Sequence, residues 1–170
     1  MRKFFSVVGV LIAGFLLQVG VAPYISIGGV SPNFFVIIVV VMAMTNGSSE
    51  GVALGFVTGL LLDLIGTGPL GPWALVLSIT GYVVGLLGQN LFAEGWLLPV
   101  TVLSIASLFS ELLSMIMVFV LGTDAPFWGA LMFQVLPTTV YTIFISIVLF
   151  PVLSKVLRED VKIASFKRFV

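Results

Sequence analysis

Lysine and arginine are absent from residues 4–154 of this 170-residue chain, and all seven of these residues lie in its two short ends. A water-soluble domain needs such side chains to keep its surface hydrated, so it cannot omit them over a stretch of this length. Only 8% of the residues are charged and 60% are hydrophobic, with a mean hydropathy of +1.29. The sequence therefore predicts an integral membrane protein.

The two basic ends predict the orientation of the chain. Positive charge resists translocation, so both termini are expected on the cytoplasmic side, which requires an even number of spans. A span takes about 20 apolar residues. Six spans fit this length, whereas four would leave apolar sequence unassigned and eight would not fit. We predict an all-α polytopic membrane protein with six transmembrane helices and both termini cytoplasmic.

Proline, glycine and small polar residues divide the apolar sequence into these spans. The first apolar run is longer than the hydrophobic region of a signal peptide, so we expect it to stay as a helix. The tail alternates charged and apolar residues and is expected to lie on the membrane surface. The predicted helices cover residues 4–21, 33–44, 50–65, 73–91, 97–121 and 127–157. Residues 1–157 then form one six-helix transmembrane domain, and residues 158–170 form a short cytoplasmic amphipathic tail.

The composition also limits the chemistry that the chain can perform. It contains no cysteine and no histidine, which removes thiol catalysis, disulfides and the commonest metal ligand. Its serines have no histidine or intramembrane lysine to activate them as nucleophiles. We therefore expect no enzyme activity, no cofactor and no metal. The scarcity of basic residues makes nucleic acid an unlikely partner and leaves membrane lipid as the surrounding phase.

Glycine recurs every fourth residue along the third predicted helix and is followed at the same spacing by an aspartate. Residues four apart share one face of a helix, so these glycines form a groove that a second helix backbone can approach closely. The fourth helix offers a similar face. One interpretation is a packing seam without further role, and the other is a site for a partner. The residues of this groove are Gly47, Gly51, Gly55, Gly59 and Asp63, with Gly81 and Gly85 opposite.

Asp63 and Glu111 are the two acidic residues predicted to lie within spanning helices. A carboxylate in a transmembrane helix costs about 2.5 to 3.5 kcal/mol, so each of them requires a partner, a cavity or a shallow position. Asp63 is close to the third helix's outer end, and we expect it to cap the following loop through backbone N–H groups at residues 66–70. Direct contact with a ligand is the alternative.

Glu111 lies near the middle of the fifth helix, in a stripe of polar residues on one face. The sixth helix carries a matching stripe, so the sequence predicts an internal polar seam in which Glu111 is paired with Gln134 or Thr138. A structural hydrogen-bond network and a role in sensing a ligand or partner both fit this pattern. The residues of the predicted seam are Ser104, Ser107, Glu111, Ser114, Gln134, Thr138 and Thr142.

Four short segments, in order and in spacing, resemble the family of the rod shape-determining protein MreD. They are Ser31-Pro32-Asn33 before the second helix, residues 55–63 in the third, residues 68–71 after it, and Gly81-Tyr82 in the fourth. The resemblance covers residues 31–85 best and does not reach Glu111. Carried over by position, the family pattern includes Pro32, Asn33, Gly55, Gly59, Asp63, Gly71 and Gly81.

This resemblance implies a non-enzymatic membrane scaffold of the bacterial rod, or elongation, complex. Such a protein pairs with MreC and links MreB filaments to the RodA glycosyltransferase and its penicillin-binding transpeptidase during lateral wall synthesis. The family is similar in architecture to the substrate-binding subunits of energy-coupling-factor vitamin transporters. A transporter subunit of that kind is therefore the alternative function.

Overall fold

The computed structural model of the chain describes residues 2–66, 68–88, 97–122 and 127–149. Three parts of the sequence prediction lie outside these residues: the end of the fourth helix at 89–91, the end of the sixth helix at 150–157 and the amphipathic tail 158–170. Apart from an isolated antiparallel bridge between Ile27 and Val30, the regular secondary structure of the described residues is helical.

Six helices follow one another along the described chain. Helix α1 begins at Arg2 and continues through Leu16 into a π-helical turn, and α6 contains a second π-helical turn. Helices α3, α5 and α6 contain segments long and apolar enough to cross a bilayer, while α1, α2 and α4 are shorter apolar helices. The bounds are Arg2–Leu16 with Leu17–Val21 for α1, Phe34–Asn46 for α2, Ser48–Ile65 for α3, Pro72–Gly88 for α4, Leu97–Val120 for α5 and Phe127–Leu149 for α6.

The structure fixes the two ends of α2. Asn33, predicted as its first residue, is its N-cap, and Pro32 precedes it. Gly47 was counted in the glycine stripe of α3, but it forms the sharp connection between α2 and α3 with a φ of 94°. Glycine tolerates this left-handed backbone because it has no Cβ.

Helix α2 is the core of the bundle, and every residue from Phe34 to Met44 is buried. A helix that is apolar on all sides can be enclosed completely by its neighbours. Its 13 residues span about 20 Å, which is less than the roughly 30 Å of a hydrocarbon layer. Only Gly47 separates α2 from α3, so the C-terminus of α2 lies level with the start of α3. The N-terminus of α2 therefore does not reach the far side of the hydrocarbon layer, and it is recessed within the bundle.

The π-helical turn of α6, Leu131–Val135, ends two residues before Pro137. Proline has no N–H to donate to the carbonyl four residues earlier, and its ring crowds that carbonyl. The wider π turn accommodates this defect while the helix continues to Leu149. The disturbance at Pro137 is therefore local, and it does not divide the helix.

Candidate functional site

Helices α3 and α4 pack against each other more extensively than any other described pair. A Cβ atom added to Gly55 would overlap the carbonyl of Leu77, and one added to Gly51 would overlap the carbonyl of Gly81. The reverse also holds, since a Cβ on Gly81 would overlap Gly51. The two backbones therefore touch, and only glycine at these positions permits that distance.

The same contact extends towards both ends of the two helices. A Cβ on Gly59 would overlap the backbone of Ala74, and one on Gly85 would overlap the backbone of Ser48 beside Gly47. The groove read from the sequence is thus filled by α4 along its length. These glycines therefore contact the backbone of the facing helix inside the bundle, and they present no open surface to another protein.

Asp63 caps the N-terminus of α4. Its carboxylate accepts hydrogen bonds from the backbone N–H groups of Gly71 at 2.9 Å, Trp73 at 3.1 Å and Ala74 at 3.1 Å. These donors belong to the start of the next helix, and the expected bonds from Gly66, Gly68 and Leu70 are not formed, while Thr67 lies outside the described residues. Gly71 has a φ of 117°, which turns its N–H towards Asp63. A carboxylate at a helix N-terminus also interacts favourably with the helix dipole.

The recessed N-terminus of α2 is held by side chains from three helices. The Asn33 side-chain oxygen accepts from the Val36 N–H at 3.3 Å, as an N-cap does. Gln18 of α1 accepts from the Phe34 N–H at 2.8 Å, and Thr142 of α6 accepts from the Asn33 N–H at 3.1 Å. Three N–H groups at the start of α2 therefore have side-chain acceptors inside the bundle.

Glu111 lies beside this N-terminus, only 6% exposed, and is hydrogen-bonded to the side chain of Asn33. Because the Asn33 oxygen already accepts from Val36, its amide nitrogen is left to donate to Glu111. The positive end of the α2 dipole lies on the same side. This arrangement explains how a carboxyl group can occupy the middle of α5 without a lysine or arginine nearby.

The predicted polar seam is only partly assembled in this way. Gln134 and Thr138 make no hydrogen bond within the described residues, so the expected pairing of Glu111 with either of them was wrong. Ser104 donates to a carbonyl of its own helix, and Ser114 lines a small cavity together with Glu111 and Gln134. Such pairings depend on how each helix is rotated about its axis and how far it is shifted along the bundle. A stripe of polar residues on each helix does not specify either quantity.

Several polar residues of this region were missed by sequence reasoning. Ser110 of α5 hydrogen-bonds to Thr80 of α4 at 3.0 Å, and both are fully buried. The hydroxyl oxygen of Thr139, which was also missed, is buried without a hydrogen-bond partner among the described residues, and so is that of Ser107, which the sequence assigned to the seam. Gln18 is the one amide side chain in the first apolar run, which is a signal that the sequence offers. Its hydrogen-bond partners, Pro32 and Phe34, are 14 and 16 residues away, so the sequence does not identify them.

A cavity of about 700 Å³ lies above the recessed N-terminus of α2. It is enclosed by the α1–α2 connection, the adjoining ends of α3 and α4, and the facing sides of α5 and α6. Its volume is within the range of small-molecule sites. Its polar lining includes Gln18, Asn33, Glu111, Gln134 and Thr138, and its apolar lining includes Leu62, Ile65, Trp73 and Phe133.

Comparison with curated proteins and with solved structures gives no significant match. The family model of the rod shape-determining protein MreD matches residues 1–159 of the 170. This match extends well beyond residues 31–85, where the sequence motifs lie, and includes α5 with Glu111. The chain therefore belongs to the MreD family of rod shape-determining membrane proteins.

Proposed function

We propose that this protein is a non-enzymatic, multi-pass scaffold of the bacterial inner membrane, in which it pairs with MreC. Through MreC it links MreB filaments to the RodA glycosyltransferase and its penicillin-binding transpeptidase during lateral peptidoglycan synthesis. The observation that carries this proposal is the family match over residues 1–159. All six helices begin within that range.

The packing of the bundle supports a scaffold role. Backbone contact along the α3–α4 seam, the Asp63 cap and a fully enclosed α2 leave these helices little freedom to move relative to one another. A rigid bundle can hold partner helices at fixed positions. Because the glycine seam is internal, we place the MreC-binding surface on the outer faces of the bundle, among exposed apolar side chains such as Ile105, Phe144 and Val148.

The test uses the full-length chain in the bacterium that encodes it. Depletion is expected to convert rods into round cells, and a plasmid copy is expected to restore the length-to-width ratio. An affinity-tagged copy should co-purify MreC from detergent-solubilised membranes. Persistence of normal rods after complete depletion would contradict the shape role. Abundant tagged protein without MreC would contradict the pairing alone.

A vitamin-transporter subunit remains the competing function. The cavity beside Glu111 is the feature that a transporter would need, but the family match over residues 1–159 favours the scaffold. Vitamin uptake in membrane vesicles with and without the protein separates the two functions, since a scaffold leaves uptake unchanged.

A further inference from the structure

The cavity above α2 offers hydrogen-bond acceptors to a ligand and no basic side chain. Glu111 is nine-tenths buried and lines it, whereas lysine and arginine are absent from residues 4–154. Three of the first N–H groups of α2, those of Asn33, Phe34 and Val36, already have side-chain acceptors. An anionic group would therefore meet a carboxyl group without a compensating cation, so the cavity favours a cationic or donor-rich group.

Three free acceptors surround the same space. The Glu111 carboxyl group bonds to Asn33 but has two oxygens, and Gln134 and Thr138 make no hydrogen bond within the described residues. Glu111 and Gln134 also line a second, smaller cavity together, which places them next to each other. A primary ammonium group carries three N–H donors, and one carboxyl, one amide and one hydroxyl oxygen can accept them.

Part of the remaining wall is apolar and reaches the exposed surface of the bundle. Leu62, Ile65 and Trp73 line the cavity on the α3–α4 side, and Phe133 of α6 lines it while 80% exposed. An amphiphile from the bilayer can therefore place its acyl chains and phosphate outside and its ammonium group inside. A small hydrophilic amine would leave these apolar walls without a partner.

We propose that the cavity binds the primary ammonium headgroup of an aminophospholipid, with Glu111, Gln134 and Thr138 as its hydrogen-bond acceptors. The ammonium group lies beside Glu111, away from the N–H groups of α2, while the phosphate stays at the cavity mouth and the acyl chains lie against the exposed rim near Phe133. This site is independent of the rod-complex role, because it requires only the folded chain and lipid.

The test measures lipid binding by the purified full-length protein in detergent, using native mass spectrometry and thermal protection. Phosphatidylethanolamine, its N-methyl and N,N-dimethyl derivatives and phosphatidylcholine are compared with the same acyl chains, because each methyl group removes one N–H donor. We expect binding to weaken along this series by about tenfold or more overall, as the loss of charge-assisted hydrogen bonds predicts.

Glu111→Gln should abolish most of this preference, while Glu50→Gln, the same chemical change in the first turn of α3, should preserve it. If Glu111→Gln fails to fold, Gln134→Leu provides the test, because Gln134 is exposed and makes no hydrogen bond to the described part of the chain. Equal binding of phosphatidylethanolamine and phosphatidylcholine, or an unchanged preference in the folded cavity variants, would overturn the proposal. Protection by free ethanolamine equal to that by the lipid would also overturn it, since a soluble amine would then be the ligand.

Discussion

Replacement of Gly55 by alanine should weaken the contact between α3 and α4. A Cβ at this position would overlap the carbonyl of Leu77, which is backbone and cannot turn aside as a flexible side chain can. The two helices must then separate, and atom pairs along the seam lose part of their dispersion energy. Gly9 in α1 provides a matched control, because a Cβ there would have no atom within 4 Å.

The magnitude follows from two opposing terms. Overpacking against backbone costs about 1–3 kcal/mol. Exchange of a helical glycine for alanine stabilises a helix by about 0.8–1 kcal/mol. Gly55→Ala should therefore lower the free energy of unfolding by up to about 2 kcal/mol, while Gly9→Ala should raise it by up to about 1 kcal/mol. The helix-propensity term cancels in the difference, which isolates about 1–3 kcal/mol for the seam.

The free energy of unfolding can be measured by titrating the full-length protein in mixed micelles with sodium dodecyl sulfate and following helicity by circular dichroism. Gly55→Leu should lose more stability than Gly55→Ala and should assemble far less well than Leu60→Ala, which removes atoms without forcing the backbones apart. Equal stabilities for Gly55→Ala and Gly9→Ala would refute the seam. Normal assembly of Gly55→Leu would do so as well.

Three further predictions concern the acidic residues and the orientation of the chain. Asp63→Ala should cost about 2–3 kcal/mol of unfolding free energy in the same assay, because three N–H groups at the start of α4 lose their acceptor; an unchanged stability would contradict the cap. Glu111→Gln should support normal membrane abundance and rod shape, whereas Glu111→Leu should cost about 1–3 kcal/mol by leaving the Asn33 amide unpaired. Normal shape and abundance with leucine would rule that network out. Since the chain has no cysteine, an impermeant thiol reagent applied to intact cells should label Ser26→Cys and spare Ser49→Cys; the opposite pattern would reverse the orientation.

Composition and spacing were sufficient to predict the helical architecture. Backbone polar groups cannot stay unpaired in lipid, so a long apolar sequence interrupted by glycine and proline divides into helices at those interruptions. The four-residue spacing of Gly51, Gly55 and Gly59 also places them on one face of α3 whatever surrounds the helix. These features depend only on residues that are near one another in the chain, so they can be predicted from one sequence.

The identity of each hydrogen-bond partner depended on the tertiary structure. Thr142 reaches the Asn33 backbone across 109 residues of sequence, and Glu111 bonds to Asn33, where the sequence favoured Gln134 or Thr138. Helix α2 is apolar on every side. Its sequence therefore has no polar face from which its orientation towards the neighbouring helices could be predicted.

The cavity has the same origin. The sequence by itself determined that α2 is short, that Glu111 lies in the middle of α5 and that no basic residue can neutralise it. Only the packing of five other helices around α2 decided that its N-terminus is recessed beside Glu111, with open space above it. The physical reason is that the depth of one helix relative to another is set by contacts along their whole length, which no local pattern records.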